Sequence, residues 1–519
     1  MKRAAIYVYY DKNGLIADYA LFFIKSLLEV CSKVQVVING KIIPKELEKL
    51  KIDGVDVVQR KNIGYDFWAY REGVLQFKDC FYDIDELILC NSSVYGPFYP
   101  FFDMFDKMEK SEADFWGITL HPASDYKIIK NNKNTQIKEH IQSYFLVFKK
   151  KMLQDNRFLD YFLNMKKING RKEAIGYLEI QLTEYFKNLG FKYDTYIKRN
   201  NEPHDNVAQY MSDYLIAKKC PVIKKTCFFH RYDLFQKKCA ETSTKRAYEL
   251  IKKTGYDTKL IIKDVLRNRK TGDIKKFLHL NFVIEGKKDI ILHDKIALCV
   301  ENDCFLPVAD KFSNIFDIFH IENSSDKNYF DKIKEISKKY DYILYLSDNT
   351  AFLPPDIKSG YIEHIINCLM KDENYIKGIV SLFEKDDNIG VLTPIPFLFP
   401  DFEFYFNFVK KEEFLEFKNE NNMNFIPDEK DLNLCSGSFW VKSEVLFNVD
   451  NINLNEKLNK GMIYSMLAQN SGFLTGSVAP SFKMAEYADN LQYKAQKIPQ
   501  FLFRLIEKIE RKLHKIVLK

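Results

Sequence analysis

Short β-branched and aromatic runs alternate with stretches of helical period, and no other feature constrains the fold of this chain as tightly. KRAAIYVYY (2–10) predicts a strand, and GLIADYALFFIKSLLEVC (14–31) carries apolar residues at helical spacing. KVQVVING (33–40) is a second strand closed by the turn pair Asn39-Gly40, and VDVVQR (55–60) is a third. YREGVLQFKDCF (70–81) reads as a helix, DELILCNSS (85–93) as a fourth strand, and PFFDMFDKMEK (100–110) as a helix after it. Such alternation predicts an α/β fold with a mainly parallel, Rossmann-like sheet covered on both faces. Ligands of such sheets sit beyond the carboxyl ends of the strands. The loops at those ends are Tyr10-Asp11, Asn39, Arg60 to Asp66, and Asn91 to Ser93.

The pattern fills residues 1–235, gives way to a charged helical connector over 236–285, and restarts over 286–495. The two halves repeat. Tyr82-Asp83 leads into ELILCNSSVYGP as Tyr340-Asp341 leads into YILYLSDNTAFLP, which sets Ser92 opposite Asp348. FWGITLHP then answers to IGVLTPIP, QSYFLVFKKKML to SGSFWVKSEVL, and YFKNLGFKYDTYI to MLAQNSGFLTGSV. Four matches in one order predict two modules of one fold in tandem. A last segment, 496–519, has Phe501, Leu502, Leu505, Ile506, Ile509, Leu513 and Ile516 at helical spacing, with Arg504, Lys508, Arg511, Lys512 and Lys515 largely on other faces. A basic amphipathic helix of this kind either lies on an anionic membrane surface or packs on protein.

Composition narrows the classes. Charged residues make up 29% and hydrophobic residues 46%, enough to build cores. A net charge of +7 over this length, carried mostly by Lys, is too diffuse for a dedicated nucleic-acid binder, and no nucleic-acid partner is expected. The 10 cysteines are scattered without a CxxC pair, so buried thiols of a cytoplasmic protein are expected, with no disulfide frame or zinc ribbon. No run of about 18 uncharged apolar residues occurs, and the N-terminal run reads as a strand, not a signal peptide. P-loop, GxGxxG, HExxH and GxSxG signatures are missing from the sequence.

The chemistry-bearing residues cluster at the strand ends. In RKNIGYDFWAYREG, Gly64 permits an unusual backbone angle, Arg60 and Asn62 offer donors, and Asp66 offers an acceptor, a set that suits a nucleotide or its phosphates. Alternatively, Asp66 caps the next helix. Asn91, Ser92 and Ser93 after ELILC can meet sugar or phosphate oxygens, or simply form the turn before Gly96-Pro97. Glu179, among apolar residues in GYLEIQLTEYF, has the setting of a general base, although a solvated helix-face carboxylate fits the pattern too. His140 in EHIQSYF could meet an acceptor hydroxyl or be structural. In the second half Asp348-Asn349 closes the matching strand, but Gly461 falls opposite Glu179.

RKNIGYDFWAYREG, ILCNSSVYGPF, DFWGIT, HIQSYFLVFKK and CPVIKKTCFF together resemble the rhamnan-synthesis protein F family of bacterial polysaccharide assembly. The first half also resembles family-two inverting glycosyltransferases of the GT-A fold. The resemblance implies two GT-A-like modules and transfer of a sugar, rhamnose first among candidates, from a nucleotide sugar to a surface polysaccharide or lipid-linked glycan. It places Tyr10, Asp11, Asn39, Arg60, Asn62, Gly64, Tyr65, Asp66, Asn91, Ser92 and Ser93 around the donor. Trp116, His140, Gln142 and Ser143 fall to the acceptor, and Glu179 to the base. The same resemblance implies Mn²⁺ or Mg²⁺ at an acidic strand-end motif, yet Ser92 stands where both families usually carry Asp, which counts against the metal and leaves more charge for Arg60 or Lys61 to balance. Work at the inner face of the cell membrane through 496–519 follows from a lipid-linked acceptor. Two other readings stay open: a transferase adding a non-sugar decoration, and a non-catalytic glycan-binding or scaffold protein.

Overall fold

The computed structural model describes residues 1–129, 132–200, 206–229, 243–287, 289–292, 295–321, 327–348, 355–397, 411–428, 436–449, 452–454 and 458–497. Asn349 and residues 498–519 of the amphipathic segment lie outside them. The chain divides into two compact units, Met1–Ile261 and Ile262–Lys519.

The first unit is built on strands β1 (Arg3–Tyr9), β2 (Lys33–Asn39), β3 (Val55–Arg60), β4 (Glu86–Asn91), β5 (Phe115–Gly117), β6 (Phe145–Lys149) and β7 (Tyr193–Thr195). They lie in the order β7-β5-β6-β4-β1-β2-β3, with β6 antiparallel to its neighbours and every other pairing parallel. The central strands β1, β2 and β4 are buried along almost their whole length, as continuous apolar runs in a sheet covered on both faces must be. The edge strand β3 alternates exposed and half-buried residues. On one face Ile6, Val8, Leu87 and Leu89 pack with Tyr70 and Val74 of the helix Tyr65–Phe77, and with Leu178 and Leu182 of the later helical stretch. The chain winds from β1 outward to β3, then returns to place β4 on the opposite side of β1. The β1/β4 junction is therefore the topological switch point, where two diverging crossovers leave a crevice.

The second unit repeats this plan. Its strands are β8 (Asn281–Val283), β9 (Ile296–Val300), β10 (Asp317–His320), β11 (Tyr342–Leu346), β12 (Ile389–Pro394), β13 (Phe439–Lys442) and β14 (Leu474–Ala479). Their order is β8-β14-β12-β13-β11-β9-β10, with β13 antiparallel to β11 and β12. Each of the four sequence matches occupies the same place in both sheets: β4 with β11, β5 with β12, β6 with β13, and β7 with β14. The edges differ. The first unit has β3 beyond β2, whereas the second adds β8 beside β14. Side chains of β9 and β11 alternate between two cores, Leu298 and Leu344 on one face, Cys299 and Tyr345 on the other. The chain thus has the α/β class expected of it, two Rossmann-like, mainly parallel modules in tandem.

The stretch read as a connector contains the helices Ser243–Lys252, Lys259–Asn268 and Thr271–Leu278. The first packs against the helix Ser212–Ala217 within the first unit. Among the described residues no helix is long and apolar enough to cross a membrane.

Candidate functional site

The strand-end residues of the first unit meet at the switch point. Gly64 takes a left-handed backbone (φ +79°) and caps the helix Tyr65–Phe77, and a Cβ there would fall 2.2 Å from the Trp68 side chain, so only glycine fits. This cap turns Asp66 inward on the first helical turn. Its carboxylate does not cap the helix; Oδ2 accepts from Asn91 Nδ2 at 3.1 Å. Asn91 in turn receives the Ser93 backbone N–H on Oδ1 at 3.1 Å, together with the Ser93 hydroxyl. The backbone N–H of Tyr10, at the end of β1, donates to Ser92 Oγ at 3.3 Å. Asp11 organises the next turn, accepting from the N–H groups of Asn13 and Leu15.

A second group of expected residues closes on itself. Arg60 donates to Asn39 Oδ1 and, at 2.8 Å, to the Ile63 carbonyl, while Asn39 Nδ2 donates to the Tyr65 carbonyl at 3.2 Å. The Arg60 guanidinium is thereby used to shape its own loop. Asn62 is exposed, and Tyr10 and Tyr65 present rings to solvent.

Glu179 arrives from the other side. The helical stretch Arg171–Asn188 contains a π-turn over Ala174–Glu179, a local insertion of the sort often found at functional sites. It leaves Glu179 half-buried, with Oε1 accepting from the Ser143 backbone N–H at 3.3 Å. The Tyr70 hydroxyl donates to the carbonyl of the same Ser143 at 3.0 Å, tying this segment to the Asp66 helix. Gln142 is held by Thr119 at 2.8 Å and reaches Asn206 at 3.2 Å. His140 stacks on His121 with ring centres 5.3 Å apart and bonds the Lys138 carbonyl through Nδ1. Trp116 does not reach this surface. It is fully buried on β5 against Phe105 and Phe145, because β5 is interior to the sheet and both its faces are covered.

Lys224 completes the cluster and was not singled out from the sequence. A two-residue antiparallel ladder pairs Lys224 with Val94 and Ile223 with Tyr95, and the Lys225 N–H donates to the Ser93 carbonyl at 2.8 Å. The segment 220–229 is thereby pinned beside the end of β4. Its signal in the sequence was a pair of lysines inside the apolar run CPVIKKTCFF. The Lys224 ammonium lies 4.7 Å from the centre of the Tyr144 ring and is half-buried.

The charges act on one another. Burial pushes the Asp66 carboxyl up to about 6, reinforced by the Glu179 charge and opposed by Lys224 and Arg171. Burial also pushes Glu179 up, but Lys224, His140 and the Ser143 contacts outweigh it and hold the carboxyl below the usual glutamate range. Lys224 is lowered by burial, against the raising effect of Glu179 and Asp66. One cation thus serves two unlike carboxylates, one ionised throughout the neutral range and one titrating near its lower end.

The second unit has a different arrangement at the equivalent place. Asp348, after β11, pairs with Lys358 at 3.0 Å, and its backbone N–H donates to Asn302 Oδ1 at 2.8 Å. At the end of β9 the buried Glu301 pairs with Lys460 and accepts from the Tyr345 hydroxyl at 3.0 Å. A Cβ on Gly461, opposite Glu179, would fall 2.0 Å from the Ser436 carbonyl.

Comparison with known proteins gives one family. The family model described as Rhamnan synthesis protein F matches residues 34–330. A curated relative, the uncharacterized protein y4gN of Sinorhizobium fredii, is 33% identical over 187 residues, covering 36% of this chain and 46% of its own length. The chain therefore spans about half the length of the curated relative it matches. Similar solved structures include the 4-diphosphocytidyl-2C-methyl-D-erythritol synthase of Anaerococcus prevotii, at 14% identity and a TM-score of 0.25 over 40% of this chain and 95% of that one. The inositol-1-phosphate CTP transferase of T. maritima is similar at 12% identity and a TM-score of 0.24 over 39% and 91%.

Proposed function

The chain belongs to the rhamnan synthesis protein F family, and on that premise we propose that it is a glycosyltransferase of polysaccharide synthesis whose chemistry lies in the first unit. The observation that carries this reading is Glu179, kept ionised on the Ser143 N–H beside Lys224 and Asp66 at the switch point. Rhamnose, the sugar of the family's description, is the first donor sugar to try, and a surface glycan or lipid-linked glycan the acceptor.

The reaction is an inverting displacement. The Glu179 carboxylate takes the proton of an acceptor hydroxyl, whose oxygen forms a bond to the anomeric carbon. The bond from that carbon to the donor phosphate breaks, and its electron pair leaves with the nucleoside diphosphate. Positive groups facing the leaving diphosphate stabilise the charge it gains. His140, Gln142 and Ser143, next to Glu179, are assigned to the acceptor side, with Tyr10, Asn39, Gly64, Tyr65, Asp66 and Asn91 to Ser93 on the donor side. The second unit, with Gly461 in place of a base and its acidic groups paired to lysines, is assigned a supporting or glycan-binding part. Contact of 496–519 with an anionic membrane would bring the enzyme to a lipid-linked acceptor at the cytoplasmic face.

The test is release of nucleoside diphosphate from a panel of nucleotide sugars in the presence of glycan acceptors. Glu179→Gln is expected to lower turnover by roughly 10²–10⁴-fold, the usual contribution of a general base, while donor binding persists. Full turnover by Glu179→Gln removes the base assignment. Failure of every nucleotide sugar to bind moves the protein to the non-catalytic reading.

A further inference from the structure

The end of β4 is where a sugar-nucleotide transferase of this architecture would be expected to hold a divalent cation, and the donor set there does not fit one. The Asn91 amide oxygen receives Ser93 and its nitrogen donates to Asp66, while Ser92 Oγ receives the Tyr10 N–H. These are neutral groups already in use. The carboxylate bonded to Asn91, that of Asp66, feels the Lys224 charge. Hard divalent cations take about six oxygens with carboxylates among them. Among the described residues no three His, Cys, Asp or Glu side chains are grouped to hold a metal ion.

A cation is nevertheless present. Arg60 is occupied by Asn39 Oδ1 and the Ile63 carbonyl. Lys224 acts on Asp66 and Glu179 through its charge and is held at the end of β4 itself. The ladder with Val94 sets its backbone two residues beyond Ser92, and the Tyr144 ring flanks its ammonium. It is half-buried, in surroundings where a charge acts more strongly than in water. Arg171, exposed at the start of the helical stretch that carries Glu179, adds positive charge felt by both Asp66 and Lys224.

We propose that Lys224 takes the part of the divalent cation: its ammonium holds the diphosphate of the nucleotide at the end of β4, and binding requires no metal. This rests on the transferase reading and specifies how that site meets its donor. Lysine binds phosphate as a compact point charge that suits a site open on one side.

The experiment is calorimetric titration of the full chain with UDP, dTDP, GDP and CDP, in EDTA and again in millimolar Mg²⁺. The expected result is one preferred nucleotide whose affinity is the same in both buffers. Lys224→Met should weaken it at least about tenfold, or about 1.4 kcal/mol, while Lys224→Arg, which keeps the charge, retains binding. Because Lys224→Met leaves Glu179 without its counter-charge, the Lys224→Met/Glu179→Gln pair is titrated alongside, with a thermal melt to confirm folding. The same loss in the folded double variant supports the proposal. Binding that EDTA abolishes and Mg²⁺ restores overturns it and leaves the transferase reading standing. Binding by folded Lys224→Met at wild-type strength overturns it as well. Failure of all four nucleotides in both buffers overturns the transferase reading and the proposal with it.

Discussion

Asp66→Asn tests the electrostatic description of the site directly, because the wild-type carboxylate is held in a place that resists its charge. Its carboxyl is pushed from an ordinary 3.8 up to about 6, chiefly by burial. Every tenfold change in proton affinity corresponds to about 1.4 kcal/mol, so ionising Asp66 in the folded chain costs on the order of 3 kcal/mol more than in the unfolded chain. Asp66 is half-buried, and solvent screening trims this to about 2–3 kcal/mol. Asn is nearly isosteric, and its side-chain oxygen can accept the same 3.1 Å bond from Asn91 Nδ2. The substitution therefore removes the charge and keeps the contact.

The sign follows from proton binding. A carboxyl whose folded value is raised holds its proton more tightly when folded. Below about pH 4 the group is protonated in both states and contributes no difference. From about pH 4 to 6 the unfolded chain ionises first and the wild type loses stability; above that the loss levels off. Asp66→Asn should thus be more stable than wild type by about 2–3 kcal/mol near pH 7.5, with the gain shrinking towards zero near pH 4. Urea unfolding reads this out. Of the 3 tryptophans, Trp68 and Trp116 lie in the first unit and Trp440 in the second, so a Trp440→Phe background confines the fluorescence to the unit of interest. Equal or lower stability of Asp66→Asn near neutral pH, or a gain that does not change with pH, would refute the reasoning. The gain in stability should come with impaired nucleotide binding, as expected where a functional site is built against stability.

Two further substitutions test the frame around the site. Lys460→Met strands the buried Glu301, and a loss of about 3–5 kcal/mol is expected in urea unfolding followed at Trp440; adding Glu301→Gln should recover most of it. Gly64→Ala forces a side chain into a left-handed position against Trp68, so it should cost at least about 1–2 kcal/mol and weaken nucleotide binding; an unchanged melting temperature would show the cap to be tolerant.

The strong β-branched runs of the sequence became strands because each was long enough for its pattern to dominate. The repeat was legible because four such runs recur in order. The candidate site was legible to the extent that parallel sheets present ligands at strand ends, which drew attention to Asn91, Ser92 and Ser93 at the end of β4 and Arg60 at the end of β3. What escaped was decided by tertiary contact. Lys224 sits in a two-residue ladder, too short for any period to show, and lies far along the chain from its partner Val94. Trp116 was assigned to the acceptor by resemblance, but it is fully buried on β5, with neighbouring strands on both sides. Asp66 was a candidate cap until Gly64 took that place and freed the carboxylate for Asn91.

The two units also differ in where they keep charge, and this bears on which can do chemistry. Tyr7 pairs with Cys90 in the first sheet as Val300 pairs with Leu346 in the second, which sets Val8 and Glu301 at equivalent places. The repeat likewise sets Leu178 against Lys460. In the first unit Val8 and Leu178 share one apolar core, and the charged residues Asp66, Glu179 and Lys224 stand above it, half-buried. In the second unit the equivalent places hold Glu301 and Lys460, which neutralise each other, while Asp348 is paired to Lys358. An ion pair buried in this way is costly to form and costly to break, and it offers no group to a ligand. One duplicated frame therefore carries a close Glu–Lys pair in one unit, where the other unit has the apolar Val8 and Leu178 and sets Asp66, Glu179 and Lys224 at its strand ends.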